Sequence, residues 1–113
     1  MAIVRADSIR LLAFGGITGS YATVGSAIAH NWRTFKVTNN TNADLFISFD
    51  GTTDNIVTPK TSFTLYDLAT NAPPIPESDN FVLQVGTQFY ARAVSGNPSS
   101  GSVYVEGLYA KGE

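Results

Sequence analysis

The feature that most constrains this chain is a two-residue alternation of apolar and polar side chains, repeatedly cut short by turn residues. Ala43 to Asp50 is the clearest case, with Leu45, Ile47 and Phe49 on one face and Asp44, Phe46, Ser48 and Asp50 on the other. Successive side chains of an extended strand point to opposite faces, so this pattern predicts a strand with one buried side. Trp32 to Thr38 places Trp32, Phe35 and Val37 against Arg33, Thr34, Lys36 and Thr38. Ser62 to Leu68 alternates Phe63 and Leu65 with Thr64 and Tyr66, and Ser102 to Ala110 opposes Val103, Val105 and Gly107 to Tyr104, Glu106 and Leu108. Shorter strands are expected at Tyr21 to Ile28, Ile56 to Thr58, Phe81 to Val85 and Phe89 to Val94, while Asp7 to Phe14 reads as a short helix or the first strand.

Turn chemistry separates these segments: Gly15-Gly16, Asn39 to Asn42, Asp50-Gly51, Gly86-Thr87 and Ser95 to Gly101. Asn71 to Asn80 holds three of the five prolines and reads as an extended crossover between two sheets. No sustained helical stripe occurs. The expected fold is all-β, an antiparallel β-sandwich, jelly-roll-like, of about eight strands in a single domain spanning residues 1–113. Residues 1–10 form either an extended N-terminal arm or the first edge strand.

Composition narrows the function. Only 14% of the residues are charged, against about 25% in an average soluble domain, and Ser, Thr and Asn supply the remaining polar surface. The seven basic residues are scattered and the net charge is −2, which gives no footprint for nucleic acid. With no cysteine and one histidine, disulfides, thiol catalysis and multi-histidine metal sites are excluded. No signal-peptide layout or membrane-length apolar run is present, so a soluble protein made in the cytoplasm is expected. Asn39-Asn40-Thr41 matches a glycosylation sequon and is read as a turn in a chain without an export signal.

Candidate chemistry is sparse. Asp50, Asp54 and Asn55 form the densest acidic group, which suits either a calcium loop or an ordinary turn, and the spacing favours the turn. Asp44, Asp50, Asp67, Glu77, Asp79 and Glu106 could supply a carboxylate pair, but no spacing selects one. His30 could meet Ser20 or Ser26, yet no nucleophile elbow accompanies them. The aromatic residues are expected to fill the core first; exposed, they would form a carbohydrate-binding platform. No enzyme activity, cofactor or metal is expected.

Four stretches carry a resemblance: Tyr21 to Gly25 (YATVG), Val37 to Asn55 (VTNNTNADLFISFDGTTDN), Leu65 to Asn71 (LYDLATN) and Gly86 to Ala110 (GTQFYARAVSGNPSSGSVYVEGLYA). In this order they resemble a family of small virion structural proteins of tailed phages. The resemblance implies a capsid decoration, or cement, protein that binds between major capsid protein subunits as a dimer or trimer, in virions assembled in the host cytoplasm. A head–tail or tail-associated component is the alternative it leaves open, and a carbohydrate-binding module is the alternative from outside the family. The low charge content agrees with an assembly role, because the centres of interfaces are depleted in charge. The residues expected at contacts are Asp50, Gly51, Asp54 and Asn55 in one exposed loop, Asn97 and Pro98 in another, and Ile3, Val4 and Arg5 in the N-terminal segment.

Overall fold

The computed structural model describes residues 3–68 and 82–111. Nine strands form among them: β1 (Ile3–Ala6), β2 (Arg10–Ala13), β3 (Ala22–Thr23), β4 (Trp32–Asn39), β5 (Leu45–Ser48), β6 (Ile56–Thr58), β7 (Ser62–Asp67), β8 (Tyr90–Ala93) and β9 (Ser102–Lys111). A single 3₁₀ turn, Phe14–Gly16, follows β2. One sheet runs β1-β9-β4-β7, with β2 also on β9; the other runs β3-β8-β5-β6. Every strand pair is antiparallel, and the two sheets pack as a β-sandwich. The pairings are nested: β5 with β6, β4 with β7, β3 with β8 and β2 with β9. The chain is thus one long hairpin, closed at the β5–β6 turn, whose two arms alternate between the sheets.

The alternations seen in the sequence set this packing. Leu45 and Ile47 of β5, and Val103 and Val105 of β9, point inward and are fully buried. On β4 the apolar residues Trp32 and Phe35 lie three apart, which breaks a strict two-residue period. A register shift between Trp32 and Thr34 restores the phase, so both residues reach the core. Phe35, Phe49 and Phe89 meet between the sheets, with ring centroids 5.2–6.5 Å apart. Burying side chains of this size contributes about 1.5–3 kcal/mol each.

Two open alternatives resolve and two expectations change. Asp7 to Phe14 holds the strand Arg10–Ala13, one of its two readings, and β1 is an edge strand in register with Leu108–Lys111. Of Tyr21 to Ile28 only Ala22–Thr23 is a strand; Val24 and Ile28 enter the core from irregular backbone. In Phe81 to Val85 the described residues make one isolated bridge, Leu83 with Trp32, and no strand. The proline-rich stretch at 71–80 lies outside the described residues.

Trp32 and Gly107 show how tightly the sheets close. Trp32 is fully buried, and a Cβ at Gly107 would stand 2.0 Å from its Cδ2. The indole therefore lies on bare backbone of β9, and only glycine leaves room for it. Gly107→Ala should cost about 3 kcal/mol or more in urea denaturation, because the ring must move out of a packed core. Gly96→Ala, where a Cβ meets nothing within 4 Å, should stay within about 0.5 kcal/mol of the parent. Equal midpoints for the two variants would refute the packing argument.

Candidate functional site

The residues singled out in the sequence fall into separate places. The loop 49–55 leaves β5 after Ser48, while 95–101 packs against 42–44, just before β5 begins. The two loops therefore occupy opposite ends of the sandwich. Asn42 donates to the Ser99 hydroxyl at 2.8 Å and accepts from the Ser99 N–H at 2.9 Å. That clasp turns Pro98 inward, where it is buried, which corrects the expectation that this whole loop is exposed; Asn97 remains exposed. Val4 and Arg5 are exposed on β1, at the same end as Asp50 to Asn55, and Ile3 pairs with Lys111.

The acidic loop is occupied by its own chain. The Asp50 carboxylate accepts from the Thr52 and Thr53 N–H groups at 2.9 and 2.8 Å and from the Thr53 and Ser48 hydroxyls. The Thr53 and Thr52 backbone donors hold its carboxyl well below the usual carboxylate range. The Gly51 N–H bonds the Ser48 hydroxyl, and Asn55 accepts from the Phe49 N–H. Asp54 binds Arg92 through both oxygens, at 3.2 and 2.8 Å, and accepts from the Tyr21 hydroxyl. Arg92, with Tyr21, holds the Asp54 carboxyl low, while burial and Asp54 push the Tyr21 phenol up to about 12. The guanidinium of Arg92 also lies over Phe46, at 4.7 Å, and Tyr21, at 5.5 Å. One arginine thus covers two rings on the outer face of the four-stranded sheet, beside an exposed Val57.

A second charged cluster is internal. Asp7 and Arg10 pair at 3.2 Å with both side chains nearly buried. Arg10 donates further to the carbonyls of Ser8, Ser26 and Ala27, and Asp7 accepts from the Trp32 indole N–H at 2.9 Å. Burial raises the Asp7 pKa, but the Trp32 bond, the Ser8 and Ala29 N–H groups and Arg10 outweigh it and hold the carboxyl low. His30 lies exposed and stacked on Tyr109 at 3.7 Å. Among the carboxylates considered as pairs, Asp44 accepts from the Lys60 N–H, Asp67 from the Thr34 hydroxyl at 3.5 Å, and Glu106 pairs with Lys36; Glu77 and Asp79 lie outside the described residues. Asn39 of the sequon is fully buried. Its amide donates to the carbonyls of Ala43 and Thr58, and its oxygen accepts from Thr41.

The outer face of the five-stranded sheet is different. Cross-strand register puts Phe63 opposite Thr38, Leu65 opposite Lys36, Lys36 opposite Glu106, and Leu11 opposite Tyr104. Residues opposite each other share a face, so Phe63 and Leu65 point outward, away from the core. They are 63% and 59% exposed. Leu11, Leu108 and Val4 stand on the same face, the last 67% exposed, and a groove of about 680 Å³ there is lined by Ile9, Phe63, Leu65 and Leu108. An ion pair, Lys36–Glu106 at 3.4 Å, crosses from β4 to β9 at the middle of this face. Single exposed apolar residues are ordinary, but a contiguous patch marks an interaction surface. The alternation of β7 was legible in the sequence. Its direction was not, because it follows from Tyr66 stacking inward on Phe35 at 4.9 Å.

Two measurements check this description. Adding about 5 mM Ca²⁺ should shift the melting temperature by less than about 1 °C, since loop donors already fill the Asp50 oxygens; a rise of several degrees would point to a cation site. Asp7→Asn should destabilise by about 3–5 kcal/mol at neutral pH by leaving the Arg10 charge buried and unpaired. The folded Asp7 pKa lies below its ordinary 3.8, so its stabilisation is complete above that value and is lost as pH falls through the folded one. Urea denaturation from about pH 6 to about pH 2.5 should therefore show a steeper loss in the parent than in Asp7→Asn, and parallel slopes would contradict this assignment.

Neither protein-family models nor curated proteins match the chain, so its function must be argued from the arrangement of its own side chains.

Proposed function

We propose that the chain is a virion structural protein of a tailed phage, a capsid decoration protein that binds between major capsid protein subunits and stabilises the shell. The observation that carries this reading is the apolar outer face of the five-stranded sheet, a surface suited to being covered in an assembly. The nested pairing of β2 through β9 supports reading the sandwich as a jelly roll, an architecture that includes viral capsid and lectin domains. The resemblance of the four stretches between residues 21 and 110 to small phage virion proteins supplies the biological setting.

The two polar ends of the sandwich offer the shell contacts: Asp50 to Asn55 with Val4 and Arg5 at one end, and Asn97 at the other. The bonds within the Asp50 loop hold its backbone in one shape before any contact is made, which lowers the ordering cost of docking. Binding only to the assembled shell stabilises that state by mass action.

The carbohydrate-binding alternative requires free aromatic rings. Tyr21 and Phe46 lie beneath Arg92, Tyr66 stacks on Phe35 and Tyr109 on His30, so these four rings serve the fold first, and Phe63 and Phe14 are the exposed ones among the described residues.

Particles purified from the parent phage should contain this polypeptide in fixed ratio to the major capsid protein, and electron cryomicroscopy should place the sandwich on the outer shell. Density at the neck or tail would transfer it to the head–tail alternative. Its absence from particles would overturn the virion reading.

A further inference from the structure

We infer that the outer face of the five-stranded sheet is a self-association surface, covered by a second copy of this chain across a two-fold axis. The inference deepens the assembly reading and rests on it only for the idea that this face is covered.

Charge selects the occupant. The face carries its positive and negative groups side by side, Lys36 on β4 and Glu106 on the adjacent β9. When two sheets pack face to face as symmetric copies, the two-fold axis lies in the plane between them. An axis parallel to the strands and midway between β4 and β9 lays each β4 on the partner's β9. Lys36 then meets the partner's Glu106 and Glu106 meets the partner's Lys36, so the interface buries four charges in alternating order. An axis perpendicular to the strands would set Lys36 on Lys36 and Glu106 on Glu106, which like-charge repulsion rejects. The ion pair thus acts as a register device on an otherwise apolar surface.

The apolar residues obey the same operation. β7 and the β1–β2 edge lie at equal distances from that axis, on opposite sides. The axis therefore sets Phe63 of β7 against the partner's Leu11, at the same level along the strands, and Leu65 near the partner's Ile9. Such a contact is isologous, with the same patch used by both copies.

The dimensions suffice. β9 is ten residues long, β4 eight and β7 six, so at ~3.3 Å per residue the strands run about 20–33 Å, and four strand widths at ~4.8 Å give about 19 Å. The plan area is about 500 Å² per copy, or about 1,000 Å² over the two, which reaches the lower range of specific interfaces. The face of the other sheet exposes less apolar surface: Val57 is 55% exposed there, while Arg92 lies over Phe46.

Analytical ultracentrifugation of the purified chain tests the inference. The parent should sediment at twice its 12.0 kDa mass. Leu65→Lys should raise the dimer dissociation constant by about 100-fold, and Lys36→Glu or Glu106→Lys alone by about 10-fold. The double exchange Lys36→Glu with Glu106→Lys should return it to within about three-fold of the parent, because both partners swap sign together. Val57→Lys, on the outer face of the other sheet, should change nothing. Circular dichroism spectra confirm that each variant is folded. A monomeric parent at about 100 μM would overturn the inference while leaving the virion reading intact. A monomeric parent whose Leu65→Lys variant is lost from particles would assign the face to a shell subunit instead. A dimer indifferent to Leu65→Lys and to the single charge reversals would place its interface elsewhere and overturn the assignment of this face.

Discussion

The sandwich depends on one side chain that is too large for where it sits. Trp32 lies flat on the backbone of Gly107, bonds Asp7 through its indole N–H, pairs through its backbone with Leu83 and stacks near Phe89 of the opposite sheet. It ties β4 to β9, the N-terminal segment to the core, and one sheet to the other. Asp7 must then be charged inside the protein, and Arg10 compensates it. Arg10 in turn needs space beside Gly25, which has a φ of +65° and where a Cβ would come within 2.8 Å of the Arg10 Cγ. Two glycines and a buried ion pair are the consequences of accommodating that indole.

This dependence gives the scarcity of charge a structural meaning. The charged residues that the chain does carry are largely spent on itself: Asp7 on Arg10, Asp54 on Arg92, Asp50 on its own loop and Lys36 on Glu106. Arg92 stacks on Phe46 and Tyr21 on one outer face. The other outer face leaves the Phe63 ring 63% exposed, with Lys36 5.5 Å from it. Its threonines, its leucines and one ion pair leave it cheap to desolvate, because little hydration must be stripped before a partner covers it.

The fold was largely legible because β-structure writes its period directly into sequence. β9 read correctly from alternation alone, whereas β5 is Leu45–Ser48 within the expected Ala43 to Asp50, and Ser48, read as outward, is fully buried. β4 was legible in type, but the spacing of Trp32 and Phe35 makes sense only with the register shift between them. Tyr21 to Ile28 misled because Val24 and Ile28 are buried without being in a strand, and burial is what apolar patterning reports. Sequence separated the two faces of β7 without saying which is inside, since that was decided by a long-range stack between Tyr66 and Phe35. The loop residues show the same limit. Asp50 as a turn former follows from the Asp-Gly dipeptide, whereas the burial of Pro98 depends on Asn42, more than fifty residues away.

The site residues divide along the same line, between what local chemistry determines and what register determines. Asp50, Gly51, Asp54 and Asn55 were visible because polar loops have recognisable composition; the outer face was not, because Phe63, Leu65, Leu11 and Leu108 look individually like core residues. Their common exposure arises only when three antiparallel registers are combined. Nesting the strands separates these surfaces. The loops lie at the two ends of the hairpin arms, and the apolar sheet face lies at right angles to them. In the proposed assembly the same molecule can therefore pair through its face and still present both polar ends to a shell. A domain with loops and apolar face at the same end would have to choose between those contacts. This one keeps them on separate axes, and the two charges on its apolar face, Lys36 and Glu106, are already paired with each other.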